Sequence, residues 1–375
     1  MLSIKMEIGS KLPPRTFFRR FIGAAPGSPS GSPRLEKMRV LRDKLRSGGE
    51  LSLTAAIPDI HGNLRALISI KTRLLRMGAE VVPMGDAFDT GTDNWGVYQL
   101  LRQEKFVLDG NHEINFMLAW AGHTASFVNW LVDDGMPVLR EMGIDNTGIA
   151  RLYRETFEKY SFEPGEGIRE RIFSRAYVDH PQFFEERLAE VREHPRLREM
   201  FNWLVECGKL YHLDDNGLLY IHGGIHPEEA APETLGRLDA LERDLKALLS
   251  GDRVKPDQLF KMRDRLFPYL MIRDPVFLPP LVKKGEDGID HYLRSLGVLG
   301  LVFAHTKKEA VAITGRRIFG IDLGMKSQRE GSFTTFGKGG VRCYRETSLG
   351  DMWEQTLIPE EEWRANMLRE IDLLI

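Results

Sequence analysis

Cysteine is almost missing. The 375 residues hold two, Cys207 and Cys343, far apart in the chain. A disulfide framework or a zinc–thiolate site needs more sulfur than that, and the scarcity fits a reducing cytoplasm. Charge of one sign is missing as well: 52 Lys and Arg stand against 54 Asp and Glu, a formal net charge of −2. Neither nucleic acid nor an anionic membrane finds a partner in such a balance. No apolar run approaches the roughly 20 residues of a bilayer span. What remains, 42% hydrophobic and 28% charged, is the composition of a soluble globular protein. Its length suits one large α/β domain with a substantial insertion, or two modest domains.

Residues 1–34 read as a flexible arm. The tract from Gly23 to Pro33 is mostly Gly, Ser, Ala and Pro, a composition that cannot bury enough to order itself. The apolar h-region of a secretory signal is not there. Residues 35–375 read as one domain. A helix is expected from Leu35 to Arg46, stopped at Ser47-Gly48-Gly49. A second follows Asn63, with Leu64, Leu67, Ile68, Leu74 and Leu75 on one apolar face and Gly78 at its end. A third spans Trp95 to Arg102. With three short apolar runs between them, these helices predict a βαβαβ unit and a mainly parallel sheet.

Five short apolar runs each end in residues that carry chemistry. Leu53–Ile57 leads to Pro58-Asp59-Ile60-His61-Gly62-Asn63, and Val81–Met84 to Gly85-Asp86-Ala87-Phe88-Asp89. Phe106–Leu108 leads, past Asp109, to Gly110-Asn111-His112-Glu113. Leu218–Ile221 leads to His222-Gly223-Gly224, and Leu301–Ala304 to His305-Thr306. Such runs closed by turn residues are buried strands, and ligand sites of open α/β sheets collect at strand carboxyl ends. Aspartate, histidine and asparagine gathered at one rim are the ligand types of a hydrolytic metal pair.

The order D-x-H-G-N, G-D-x-x-D, G-N-H-E, H-G-G, H-T resembles the calcineurin-like metallophosphoesterases, within them the branch of phosphoprotein phosphatases and their bacterial relatives. The resemblance runs from about Leu51 to Gly324. It implies two packed mixed β-sheets flanked by helices, an αββα sandwich. It also implies two divalent ions, Mn, Fe or Zn. Asp59 and His61 would hold the first, Asp86 would bridge, and Asn111, His222 and His305 would hold the second. His112 would protonate the leaving oxygen, oriented by Asp89, and a metal-bridging hydroxide would attack a phosphomonoester directly.

Two positions depart from the pattern. Thr90 stands where an arginine would clamp the substrate phosphate, and Pro58 where glycine is usual. Arg273 is the first candidate to replace the clamp, with Thr90 and His226 as further substrate contacts. His123 reads as a cap residue. From Ile114 to about Asp215 no strand is expected. This stretch of Glu, Arg, Leu and aromatics reads as an inserted helical cap over about residues 114–215, whose bulk argues for a small phosphorylated substrate. A dinucleoside-polyphosphate hydrolase and a serine/threonine phosphoprotein phosphatase use nearly the same motifs. A catalytically silent scaffold is the non-enzyme alternative, supported only by Thr90. Farther on, helices are expected from Pro232 and Pro256, a strand from Ile318, a hairpin across Gly337–Gly340, and a helix over the last residues from Glu360.

Overall fold

The computed structural model describes residues 33–375 apart from 134, 166, 252–254, 271, 326–330 and 347–350. The expected arm therefore lies almost wholly outside the described residues. α1 (Pro33–Arg46) leads into β1 (Leu53–Ile57), α2 (Leu64–Met77), β2 (Glu80–Pro83), α3 (Asn94–Leu101) and β3 (Val107–Leu108). Asn63 caps α2 by accepting from Ala66 N, and Gly78 closes it with a left-handed φ of 64°. The buried stripe of α2 is Leu67, Ile70 and Leu74, at helical spacing. Ile68 and Leu75, expected on that face, are 50% and 80% exposed. Each sits one residue, about 100°, around the helix from the stripe.

A run of helices follows: α4 (Asn111–Trp120), α5 (Thr124–Val132), α6 (Met136–Glu141), α7 (Thr147–Tyr160), α8 (Ile168–Asp179), α9 (Pro181–Glu193) and α10 (Pro195–Cys207). It ends at two short strands, β4 (Gly208–Lys209) and β5 (Tyr211–Leu213), so the strand-free stretch closes at Cys207, before Asp215. Every residue of α4 is buried. It runs through the middle of the inserted helices, among them α5, α9 and α10, which share one apolar core with the helical face of the sheets.

β6 (Leu218–Ile221) resumes the sheet, and α11 (Thr234–Leu249), α12 (Pro256–Leu270), α13 (Asp274–Val282) and α14 (Gly285–Leu296) precede β7 (Gly300–Phe303). β8 (Ala312–Thr314), β9 (Ile318–Gly320), β10 (Ser332–Gly337), β11 (Gly340–Glu346), β12 (Met352–Ile358) and α15 (Glu360–Leu374) complete the described chain. One sheet has the order β12-β11-β10-β1-β2, the other β5-β6-β7-β9-β8. Both are mixed: β1 pairs parallel with β2 but antiparallel with β10. β3 stands apart from both, paired with β4, so the first half gives only two strands to the main sheet.

Alternation along the strands packs the two sheets together. Ala56, Phe336, Tyr220, Val302 and Phe319 turn inward to a shared core with α1 and α15. Ala55, Ile57, Leu219, Ile221, Leu301 and Phe303 turn outward to the flanking helices. Phe336 meets Tyr220 and Phe319 edge-on across the interface, with centroids 5.9 and 5.2 Å apart. Buried Asp214 adds a polar link between the sheets. Its carboxylate accepts from Thr54 Oγ1 of β1 at 3.0 Å and from Tyr220 Oη of β6 at 3.1 Å. The architecture is the expected sandwich of two mixed sheets flanked by helices.

Candidate metal centre and active site

β1 and β2 run parallel, as do β6 and β7, and each pair ends on the residues singled out in the sequence. The loops are fastened to each other by backbone hydrogen bonds. Ile60 N and His61 N both donate to Asp86 O, at 3.1 and 2.9 Å, and Gly62 N donates to Ala87 O at 2.8 Å. Ala304 N donates to His222 O at 2.9 Å. Among the described residues six non-glycines have positive φ, and four of them are His61, Asp86, Asp89 and His305. Left-handed backbone costs such residues on the order of 1–3 kcal/mol each and persists only where surroundings impose it. The rim is therefore a preset frame.

Two glycines let the frame close. A Cβ on Gly110 would lie 2.1 Å from Asp86 Oδ1, and one on Gly85 2.9 Å from His222 Nδ1. Glu113 locks the same place from below. Its Oε2 accepts from Asp86 N at 2.8 Å and Gly110 N at 2.9 Å, and its Oε1 from Ala87 N at 2.8 Å. Burial and neighbouring Asp86 push its carboxyl upward, while three N–H donors favour the anion. The sequence signal was present, since Gly110-x-x-Glu113 before an apolar run is a capping pattern, but Glu113 was given no role.

The expected ligands come together. Single ligand atoms of Asp59, His61 and Asp86 lie within 4.8 Å of one another, and so do those of Asp86, His222 and His305. Asp86 belongs to both sets. His222 Nδ1 pairs with Met84 O at 2.8 Å, which makes that nitrogen the donor and leaves Nε2 with a lone pair. Around Nε2 stand Asn111 Oδ1 at 3.3 Å, Asp86 Oδ2 at 3.4 Å and His305 Nδ1 at 3.1 Å. Two oxygens and two imidazole nitrogens converge there, held together in the metal-free chain by a proton whose place a cation would take. A cation satisfies that arrangement, and hard oxygen with imidazole nitrogen fits Mn, Fe or Zn; thiolate is absent from the set. Divalent ions therefore fit these residues.

The electrostatics carry the same mark. Burial, and then the neighbouring Asp322, raise Asp59 to about 8. Burial opposes charge on His222, yet Asp86 and Asp59 lift it to about 10. Burial and the adjacent His222 push His305 down to about 3. Asp322 is a rim carboxylate that the sequence reading did not single out. It follows β9 directly and takes Gly324 N at 2.8 Å.

Asp89 has two imidazoles. His61 Nδ1 donates to its Oδ1 at 2.9 Å, and His112 Nδ1 forms an ion pair with its Oδ2. Burial resists ionisation of Asp89, but His112 and His61 hold it at about 2. With Nδ1 of each ring committed to Asp89, the Nε2 atoms face the rim, 3.9 Å from Asp59 Oδ2 for His61 and 3.5 Å from Asp86 Oδ2 for His112. These three residues also lie close enough to form a metal-sized group; the hydrogen bonds to Asp89 make it a positioning device instead. Burial opposes protonation of His112, but Asp86 and Asp89 raise it well above the ordinary imidazole range. Phe88, Phe116, Trp130 and Met200 wall its buried side.

The expected substrate contacts are more scattered. Arg273 is exposed at the start of α13, and its charge helps depress His305. Thr90 Oγ1 is buried with no hydrogen-bond partner among the described residues. His226 is occupied by its own turn, where Glu228 N donates to its Nδ1 at 3.3 Å. His123 is the N-cap residue of α5, with Nδ1 2.8 Å from Ser126 Oγ.

A family model described as calcineurin-like phosphoesterase matches residues 53–309. No curated protein sequence matches the chain. Among solved structures, a cold-active protein tyrosine phosphatase is 19% identical with a TM-score of 0.47, over 83% of this chain and 80% of that one. Another, from a psychrophilic Shewanella species, is 17% identical at 0.47, over 82% and 81%. A protein serine/threonine phosphatase from Saccharomyces cerevisiae is 13% identical at 0.39, over 87% and 91%. At these values the structural likenesses say nothing of what this chain acts on.

Proposed function

The chain belongs to the calcineurin-like phosphoesterase family, and from that premise we propose that it is a dinuclear metal-dependent phosphatase acting on a small phosphomonoester. The observation that carries this reading is the position of Asp86, common to two ligand groups, beside an imidazole nitrogen ringed by acceptors. Asp59 and His61 would hold one ion, Asn111, His222 and His305 the other, with Asp86 between. Two divalent ions, when bound, neutralise the ester oxygens and make water a strong nucleophile at neutral pH.

The remaining work falls to the chain itself. Asp89 fixes the tautomer of His112 by engaging Nδ1, so Nε2 carries the proton aimed at the leaving oxygen. A general acid so placed is typically worth 10²–10⁴-fold. The same carboxylate steadies His61 through its Nδ1. Arg273 and the hydroxyl of Thr90 are the groups we assign to the substrate phosphate. His226, held in its turn, contributes at most at the edge. Two free thiols suit a reducing cytoplasm, and no described helix is long and apolar enough to cross a membrane.

The test is hydrolysis of p-nitrophenyl phosphate by metal-loaded protein, with Mn²⁺ as the first ion tried. Asp86→Asn is expected to lose both metal and turnover. His112→Ala is expected to keep metal and lose turnover of the order given above. Stoichiometric metal binding without hydrolysis of any phosphate ester would favour the scaffold reading.

A further inference from the structure

Resting on the phosphatase reading, we infer that Asn94 is the positioning residue behind the general acid, and that Glu141 of the inserted helices holds Asn94 in place. Asp89 serves His112 only while its carboxylate is aimed at the ring, and its backbone is strained where it does so. Its φ is 141°, a region that non-glycine residues enter only where their surroundings impose it. Asn94 imposes it. Its Oδ1 accepts from Asp89 N at 2.7 Å, and its Nδ2 donates to Asp89 O and Gly91 O, each at 3.3 Å. One side-chain amide therefore grips both the N–H and the carbonyl of the strained residue. Asn94 is fully buried, and it stands against the first loop as well: a Cβ on Gly62 would lie 2.5 Å from its Oδ1.

Asn94 is also the first residue of α3, and the first N–H groups of a helix have no partner inside it. Asp93 takes one of them, accepting from Gly96 N at 2.8 Å. Glu141 takes two more: its Oε2 accepts from Asn94 N at 2.7 Å and its Oε1 from Trp95 N at 2.8 Å. Glu141 is the last residue of α6, well inside the inserted helices. A helix start asks only for the backbone of Asn94, and its side chain is committed to the Asp89 loop instead. Glu141, Asn94, Asp89 and His112 thus follow one another, each joined to the next by a hydrogen bond or an ion pair. Through them the insert reaches the carboxylate that orients the acid, in addition to walling its ring.

Leaving groups of different basicity read the acid. Phenolate leaves less readily than p-nitrophenolate and depends more on a proton delivered to it. At saturating Mn²⁺, Asn94→Ala is expected to lower kcat for phenyl phosphate by about ten- to a hundredfold, the size of a small misplacement at a reaction centre. For p-nitrophenyl phosphate the loss should be smaller, with KM unchanged for both esters. His112→Ala sets the reference tilt between the two. Glu141→Ala should tilt them the same way by a smaller factor, and Glu141→Gln, which keeps one acceptor, by less again. Equal proportional losses on the two esters would mark residues that only support the fold, and overturn the assignment. A second readout needs no turnover. In metal-free protein the Nδ1 protons of His112 and His61, both held on Asp89, are followed by proton NMR and assigned by their loss in His112→Ala and His61→Ala. Asn94→Ala should shift or broaden both signals while circular dichroism shows the fold kept; unmoved signals overturn the assignment. If Asn94→Ala does not fold, Glu141→Ala carries the same two readouts. If the parent hydrolyses neither ester, the phosphatase reading falls, and the NMR comparison alone decides whether Asn94 positions Asp89.

Discussion

Replacing Glu113 with glutamine tests whether the rim is held as the geometry says. The carboxylate is 1% exposed and accepts three backbone N–H groups within 2.9 Å. Glutamine keeps one acceptor oxygen and gains two N–H donors. If that oxygen faces Asp86 N and Gly110 N, the new amide points at Ala87 N–H, donor against donor. One backbone N–H and one side-chain N–H then lose partners, at about 1–3 kcal/mol each, so the loss is roughly 2–6 kcal/mol. That is a large part of the 5–15 kcal/mol typical of a folded domain. The damage should also reach the metals, since Asp86 and Ala87 carry the carbonyls that receive Ile60, His61 and Gly62. Urea titration of chelated protein measures the first effect and metal content after dialysis the second. A loss below about 0.5 kcal/mol, with full metal retained, would refute the reasoning. It would mean that Glu113 is already held as the neutral acid.

Gly110→Ala is expected to cost about 1–3 kcal/mol as overpacking, because its new methyl would lie 2.1 Å from Asp86 Oδ1; metal content should fall with it, and an unchanged metal content would show that the close approach is dispensable. Arg273→Ala should raise KM strongly and leave bound metal intact, and equal KM values for variant and parent would retire Arg273 as the phosphate clamp. His212 gives a pH test remote from the metals. Burial, and then Lys209, depress it to about 4 from an ordinary 6.5, so the unfolded chain binds its proton first. Its contribution is intact above pH 6.5 and is lost as pH falls from there toward 4, by on the order of 1–2 kcal/mol after allowing for its partial exposure. His212→Asn should flatten that limb of the stability curve, whatever it does to the stacking on Phe106; an unchanged slope would remove His212 from the account.

The rim was legible as a cluster because buried strands announce themselves as short apolar runs closed by turn residues, and here each closure carried a residue type able to bind a metal. Asp59, His61, Asp86, Asn111, His222 and His305 could be written down in order. Less visible was what holds them. Glu113 works through backbone N–H groups, which have no letter in a sequence, and the second partner of Asp89 depends on where His61 points. Edges were harder still. β12 exposes four of its seven residues in a row, so it lacks the alternation that marks a half-buried strand. α13 holds Pro279 and Pro280 in its interior, residues that argue against a helix until neighbours impose one. α14 was legible, with Ile289, Tyr292, Leu293 and Leu296 at helical spacing.

The pairing of β1 with β10 sets a condition on how the protein is made. Ala56 finds its antiparallel partner Thr334 only after most of the chain has been translated. At about 5–20 residues per second, a ribosome leaves the Asp59–His61 loop without that neighbour for tens of seconds. Cations gathered early would meet half a cradle, and the nascent hydrolase would depend on chaperones or on its own unfinished helices until the last strands emerge.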